Sequence, residues 1–474
     1  MRSLLSAFCL LLLGACAQTQ TADLAIRGAT VVDVAAGALV SGQTVLIEGN
    51  RIVAVGPDHA VGVPDEANVL DAAGGYLIPG LWDAHVHSAE NVGWHFPLYV
   101  AHGITSVRNM HSGADDPLDL AHSIKRRVAA GEQLGPRFLA NGNVVDGAPP
   151  VWPGSVLVRN AEEARAAVDR LADGGADFVK VYDRLTPGAY FAVLERAKER
   201  GIPVDGHVPF LIRPEEAAAA GQRTFEHTSG ITMGCASGAD ALRTDYVGYL
   251  ERVPEMPPYP DQMVEFFRLA RRALDTRDPE LCRQAARAFR EHGVVSVPTL
   301  VANAGGDPRG FIADAERMNL MPRWVREEWQ TMAEGPDLLG ELLGPAAAAG
   351  VGNVRVLHEE GVVILAGTDV GNPFLVPGLS LHRELERLTE AGLSPLEALQ
   401  AATLLPARVF ALEDSLGTVE TGKLADLVLL DANPLEAITN TRRIRAVVID
   451  GRLRRRANLD RLLGEVSTLN QQEE

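Results

Sequence analysis

From Pro79 to about residue 410 the chain alternates short apolar runs with longer, alanine-rich amphipathic stretches, and that alternation permits few folds. Eight runs read as strands: 80–87, 104–110, 136–141, 177–183, 203–208, 224–228, 294–300 and 363–369. Between several of them, stretches such as 161–174, 187–200, 213–220 and 280–292 carry apolar residues at helical spacing, and many close on glycine. Strands separated by helices pair in parallel, so eight such units predict an α/β fold closed as a (β/α)8 TIM barrel. Its chemistry would sit at the C-terminal ends of the strands. A doubly wound open sheet is the rival, but no glycine-rich phosphate loop supports it.

The flanks read differently. Residues 22–78 alternate apolar and polar positions, with Gly49-Asn50 as a hairpin turn between two β runs, and 422–451 repeats the pattern at the other end. The two flanks, 17–78 and 411–458, are expected to assemble one small β-sandwich around the inserted barrel of 79–410. Residues 459–474 are expected to form a tail that ends in disorder. Two connections are long, 229–279 and 303–353, and both leave the expected active-site rim, where lids or substrate walls form.

Residues 1–16 read as a targeting segment. Arg2 precedes an apolar run, Leu4 to Leu13, too short to span a bilayer, and the segment closes on Leu13-Gly14-Ala15-Cys16. That closing sequence resembles a bacterial lipobox, which predicts lipidation at Cys16 and export. With Ala17 rather than Asp next, a periplasm-facing outer-membrane lipoprotein is expected; a soluble periplasmic or secreted protein is the alternative. Membrane attachment would then rest on the N-terminal lipid alone. A net charge of −18 argues against nucleic acid as a partner and would repel anionic membrane surfaces. Homo-oligomerisation is compatible with all of this. Cys235 and Cys282 remain in the mature chain; a disulfide is open to them, whereas a cysteine zinc site lacks the paired spacing.

The strand ends carry the chemistry. His85 and His87 share one face of the first strand, roughly 6–7 Å apart. Lys180 lies in the fourth, His207 in the fifth, His227 in the sixth, and Asp369 ends the eighth. Any one of them alone would fit a satisfied core or a turn cap. Together, at one end of a barrel, they describe a metal centre. Lys180 is the least expected, because burying an ammonium is costly unless it is paired or neutralised.

With these residues in place the chain resembles the amidohydrolase superfamily, in its imidazolonepropionase-like and prolidase-like branch. The likeness covers the mature chain and includes 79–87, Ala366-Gly367-Thr368-Asp369, Ser380-Leu381-His382-Arg383-Glu384-Leu385, Ala401-Ala402-Thr403 and 417–428. It implies one metal on His85, His87 and Asp369 and a second on His207 and His227. Lys180 would be carbamylated by carbon dioxide (N6-carboxylysine) and bridge the two. Imidazole and carboxylate ligands without thiolate suit zinc, with manganese, cobalt or iron open. The activity implied is hydrolysis of an amide-type C–N bond in a dipeptide, N-acyl amino acid or cyclic amide. A hydroxide held between the ions would attack, and Asp369 would shuttle the proton.

Some residues depart from the family pattern or add to it. Asn109 and His111 stand where related sequences often carry an acid. Tyr182 shares the strand face of Lys180, so its hydroxyl could assist the carbonyl or contact substrate, and Arg184 continues that face into the loop, where it could hold a substrate carboxylate. His382, on the helix after the eighth strand, is read as substrate-contacting or structural. Lactone or ester hydrolysis, a mononuclear deaminase-like reaction and a non-catalytic surface binding role are the alternatives. The complete ligand set argues against the last.

Overall fold

The structure, a computed structural model, describes residues 21–256, 261–303, 308–334 and 338–472. The expected targeting segment and the expected lipidation site at Cys16 lie outside the described residues. The chain opens with β1 (Leu24–Asp33), β2 (Ala38–Glu48), β3 (Arg51–Pro57), β4 (Asn68–Asp71) and β5 (Tyr76–Pro79). The inserted domain contributes β6 (Leu81–Val86), β7 (Ile104–Asn109), β8 (Arg137–Ala140), β9 (Val144–Asp146) and β10 (Val156–Leu157). It continues with β11 (Val179–Val181), β12 (Val204–Gly206), β13 (Thr224–Glu226), β14 (Val295–Val297) and β15 (Val363–Ile364). β16 (Leu427–Leu430), β17 (Ile444–Ile449) and β18 (Arg452–Arg455) return to the first group.

All eight expected barrel strands are present. They pair in parallel as β6-β7-β8 and as β9-β11-β12-β13-β14-β15. The third strand is broken: β8 pairs with β7, and after a bend at 141–143 β9 pairs with β11. The seam between last and first strands is closed by Ala84 N donating to Ala366 O at 2.9 Å and His87 N to Val370 O at 2.6 Å. The fold is a TIM barrel.

The chain ends meet in one eight-stranded mixed sheet, ordered β18-β17-β16-β5-β1-β2-β3, with β4 also on β1. β1 changes neighbours along its length, pairing with β4 at Leu24–Arg27 and with β5 at Thr30–Val31. The change falls beside Gly28, whose φ of 77° belongs to the left-handed region that glycine adopts freely. Alternation then divides the side chains. Leu77, Leu427, Leu429 and Val448 enter the sheet's own core, while Ile78, Val428, Leu430 and Val447 pack into the barrel core. Burial on both faces explains why β16 reads Leu-Val-Leu-Leu without a polar position.

Two regions differ from expectation or resolve an open point. Residues beyond 458 continue as helix Arg456–Gln472 instead of a tail, and Leu459 and Val466 are buried against the barrel side. Cys235 and Cys282 form a disulfide. It joins the end of helix Ser229–Gly234 to helix Pro279–Glu291 and encloses helices Ala239–Arg252 and Asp261–Asp275. The base of that excursion is also tied by Ser237 N to Thr276 O and Asp278 N to Cys235 O, at 2.9 and 2.8 Å. The long connection is a helical roof with a closed foot.

Candidate metal centre and cavity

The strand ends bring every expected metal ligand to one place. Asp369 Oδ1 lies 3.2 Å from His85 Nε2 and 3.0 Å from His87 Nε2, and its Oδ2 is 3.9 Å from His227 Nδ1. Ring centroids of His85 and His227 are 4.9 Å apart, and those of His227 and His207 are 4.7 Å apart. Among the described residues, His85, His227 and Asp369 form a donor set with ligand atoms within 4.8 Å of one another. It crosses the two groups that the family resemblance separates.

Backbone strain helps to assemble the set. His227 has φ 59°, Thr299 φ 46° and Asp369 φ 64°, all left-handed for residues with a side chain. Strict alternation would turn His227 away from the face that Glu226 occupies. The left-handed turn brings it back, and Thr299 Oγ1 then meets His227 Nδ1 at 2.7 Å.

Behind the ligands lies a charged network inside the barrel. Glu226 Oε2 holds His85 Nδ1 at 2.7 Å, and Glu226 Oε1 accepts from Arg108 Nη2 at 2.8 Å. Arg108 also donates to Asp205 Oδ2 at 2.7 Å and to Ala84 O at 2.6 Å, and Arg223 closes the group on Asp205 at 2.6 Å. Asp183 Oδ1 lies 2.9 Å from His207 Nδ1. Asp83 accepts from Thr368 Oγ1 at 2.6 Å and Thr368 N at 2.9 Å, which positions the strand bearing His85. Sequence reading missed Glu226, Asp205, Asp83 and Arg108. Their signal was present: each is a charged residue within a short barrel strand, and Asp83, Asp205 and Glu226 lie two residues from another polar side chain on the same face.

These partners engage one nitrogen of His85 and of His207 and leave the other. His207 Nε2 is buried without a hydrogen-bond partner among the described residues, and His85 Nε2 has beside it only Asp369 Oδ1, at 3.2 Å. Two imidazole nitrogens left free by their own partners and converging with a carboxylate fit a divalent cation, and the carboxylate network behind them is what metal-bound histidines use. Burial would raise Asp369, but His85 and His227 outweigh it and hold the carboxyl well below its ordinary range.

Lys180 is 1% exposed, makes no ion pair with a described carboxylate, and sits with Nζ 5.6 Å from the Tyr182 ring centroid. Burial draws its ammonium down to about 8, against the opposing pull of Glu226 and Asp369. Tyr182 packs its ring on His207 at 4.0 Å and accepts a hydrogen bond from Trp152 Nε1 at 2.7 Å, and no described group accepts its own proton. His111 lines the cavity 6.4 Å from His87. Asn109 is instead a clamp, accepting from Ser88 N at 2.6 Å and Ala89 N at 3.1 Å. His382 does not line the cavity. It is buried between Thr441 Oγ1 and His102 O, at 2.9 and 3.0 Å, and its role is to join its helix to the C-terminal segment.

The centre opens into a cavity of about 1550 Å³, lined by Lys180, Tyr182, Arg184, His207, His227 and Asp369 on one side. Helices Ala239–Arg252 and Asp261–Asp275 roof it with Tyr246, Tyr249 and Phe266.

The family model described as "Amidohydrolase family" matches residues 76–454. Adenine deaminase 3 of Rhizobium meliloti is 24% identical over 435 residues, covering 88% of this chain and 56% of that protein. The imidazolonepropionase of Rubrobacter xylanophilus is 28% identical over 433 residues, covering 83% and 85%. The chain spans about half the length of the adenine deaminases it matches over most of its length. Among solved structures, a Xaa-Pro dipeptidase with bound methionine superposes with a TM-score of 0.66 at 21% identity, over 91% of this chain and 99% of that one. That likeness shows the fold.

Proposed function

The chain belongs to the amidohydrolase family, and from that premise we propose a binuclear metal-dependent hydrolase of amide-type C–N bonds in small substrates, with zinc the favoured metal. The observation that carries the reading is Lys180. It is buried, makes no ion pair with a described carboxylate, and lines the same cavity as His87, His207, His227 and Asp369. A neutral lysine there could add carbon dioxide, releasing one proton, and the resulting anionic carbamate would supply oxygen donors to the metal site.

When bound, the metal pair supplies an activated water and polarises the scissile carbonyl. The chain's own residues do the rest. Asp369 accepts the proton of the attacking water on a carboxylate oxygen and returns it to the leaving nitrogen. Tyr182 has a hydroxyl proton to offer the carbonyl oxygen as negative charge grows there. The cavity under the helical roof has room for substrates of dipeptide or N-acyl amino acid size. Export is part of the same reading, supported by the N-terminal sequence and by a disulfide between buried cysteines.

Elemental analysis tests this on the chain starting after Cys16, produced with zinc and bicarbonate, beside Lys180→Ala. About two metals per chain, falling to one or fewer in the variant, are expected. One metal or fewer in both would end the binuclear reading and favour mononuclear deaminase-like chemistry.

A further inference from the structure

Arg184 is a buried cation that pairs with no anion among the described residues. It is 6% exposed and lines the cavity. Its Nη1 donates to Pro149 O at 2.7 Å, and its Nη2 reaches Tyr249 Oη at 3.3 Å and Gln262 Oε1 at 3.4 Å. All three partners are neutral, and the last two contacts are long for charged hydrogen bonds.

The nearby acids are committed elsewhere. Asp146 accepts from the backbone N–H groups of Gly147, Arg184 and Val151, at 2.8, 2.8 and 2.9 Å. Asp183 faces His207. A guanidinium taken out of water and left unpaired is unfavourable, and a bidentate carboxylate relieves that better than any neutral acceptor.

The space beside it is aromatic. Phe210 and Tyr246 have centroids 4.5 Å apart, Tyr246 and Tyr249 5.5 Å, and Phe210 and Phe266 5.9 Å. All four line the same cavity under the disulfide-closed roof. Tyr182 and Asp183 contact His207 on the metal-ligand side, and Arg184 follows them immediately, so this part of the cavity borders the metal centre.

From this we infer that Arg184 and the roof aromatics form a subsite for the leaving half of the substrate, an aromatic or large apolar α-amino acid bound through its free carboxylate. The inference rests on the proposed hydrolase reading and names its substrate class: N-acyl or N-peptidyl derivatives of such amino acids. Water adds to the acyl carbon, the C–N bond breaks, and the water's second proton ends on the departing amine. One carboxylic acid and one free amino acid result.

The test reads binding, so it does not depend on turnover. Calorimetry on the zinc-loaded mature chain compares 3-phenylpropanoate with 3-phenylpropanamide in wild type, Arg184→Met and Arg184→Lys. Wild type is expected to prefer the acid by at least about 10-fold. Arg184→Met is expected to weaken the acid roughly 30- to 100-fold and leave the amide within about threefold. Arg184→Lys keeps the charge but not the planar fork and is expected to lose about 5- to 10-fold for the acid alone, which decides the matter should the Met variant not fold. Equal binding of acid and amide by wild type, or unchanged acid binding in the variants, overturns the subsite. Arg184-dependent binding with no turnover of N-acyl amino acids supports the subsite and removes the hydrolase reading; turnover with Arg184-independent binding does the reverse.

Discussion

Glu226 Oε2 lies 2.7 Å from His85 Nδ1 with both side chains wholly buried, so one carboxylate sets the orientation of one imidazole. The contact directs His85 Nε2 toward Asp369. Glu226→Gln keeps the shape and weakens the charge-assisted bond. Zinc affinity is expected to fall about 10- to 100-fold, read by titration against a competing chelator. Unchanged affinity would assign Glu226 to Arg108 alone.

Arg108 anchors the barrel interior through Asp205, Glu226 and the Ala84 carbonyl, and all the side chains concerned are buried. Arg108→Met leaves Glu226 without its cation. A loss of about 3–5 kcal/mol in unfolding free energy is expected from breaking a buried pair on one side, measured by urea denaturation. Arg223 shares Asp205 but has a side chain 24% exposed. Arg223→Met is expected to cost clearly less.

The eight barrel strands and the six ligand candidates were legible because a parallel barrel gathers its strand ends, and polar residues at those ends have few other uses. His227 shows where alternation stops informing: its inward direction depends on a φ of 59° that no residue type at 227 announces. His382 was ambiguous because a helix position after the last strand does not reveal depth, and its partners Thr441 and His102 are remote in sequence. The partners of Arg184, on the connection 146–152 and on the roof helices, were hidden for the same reason. The disulfide was undecidable from spacing, since Cys235 and Cys282 are brought together by helices on either side of a 47-residue separation.

That disulfide closes the foot of the roof, so its loss should be felt in stability before chemistry. Cys282→Ala is expected to lower stability by about 2–4 kcal/mol for a loop of this length. Limited proteolysis should find new cleavage sites within 236–281 under conditions where the wild type resists. An unchanged cleavage pattern would mean that the backbone ties at Ser237 and Asp278 hold the foot alone.

Glu384 supplies a pH dependence whose sign can be worked out. Its Oε1 accepts from Leu300 N at 2.9 Å and its Oε2 from Val301 N at 2.7 Å, and the side chain is fully buried. Burial pushes the carboxyl up from 4.5 to about 8, with the two N–H groups opposing and Asp83 adding to the rise. The folded chain therefore binds a proton between those values that the unfolded chain has released. The stabilisation is complete below about pH 4.5 and is lost as pH rises through about 8. Glu384→Gln does not titrate. Its stability relative to wild type should improve from pH 5 to pH 9, by an amount on the order of a few kcal/mol. Urea midpoints of both proteins at pH 5, 7 and 9 measure this. A constant difference across the series would show that the two N–H groups already hold Glu384 ionised at pH 5, against the pull of burial.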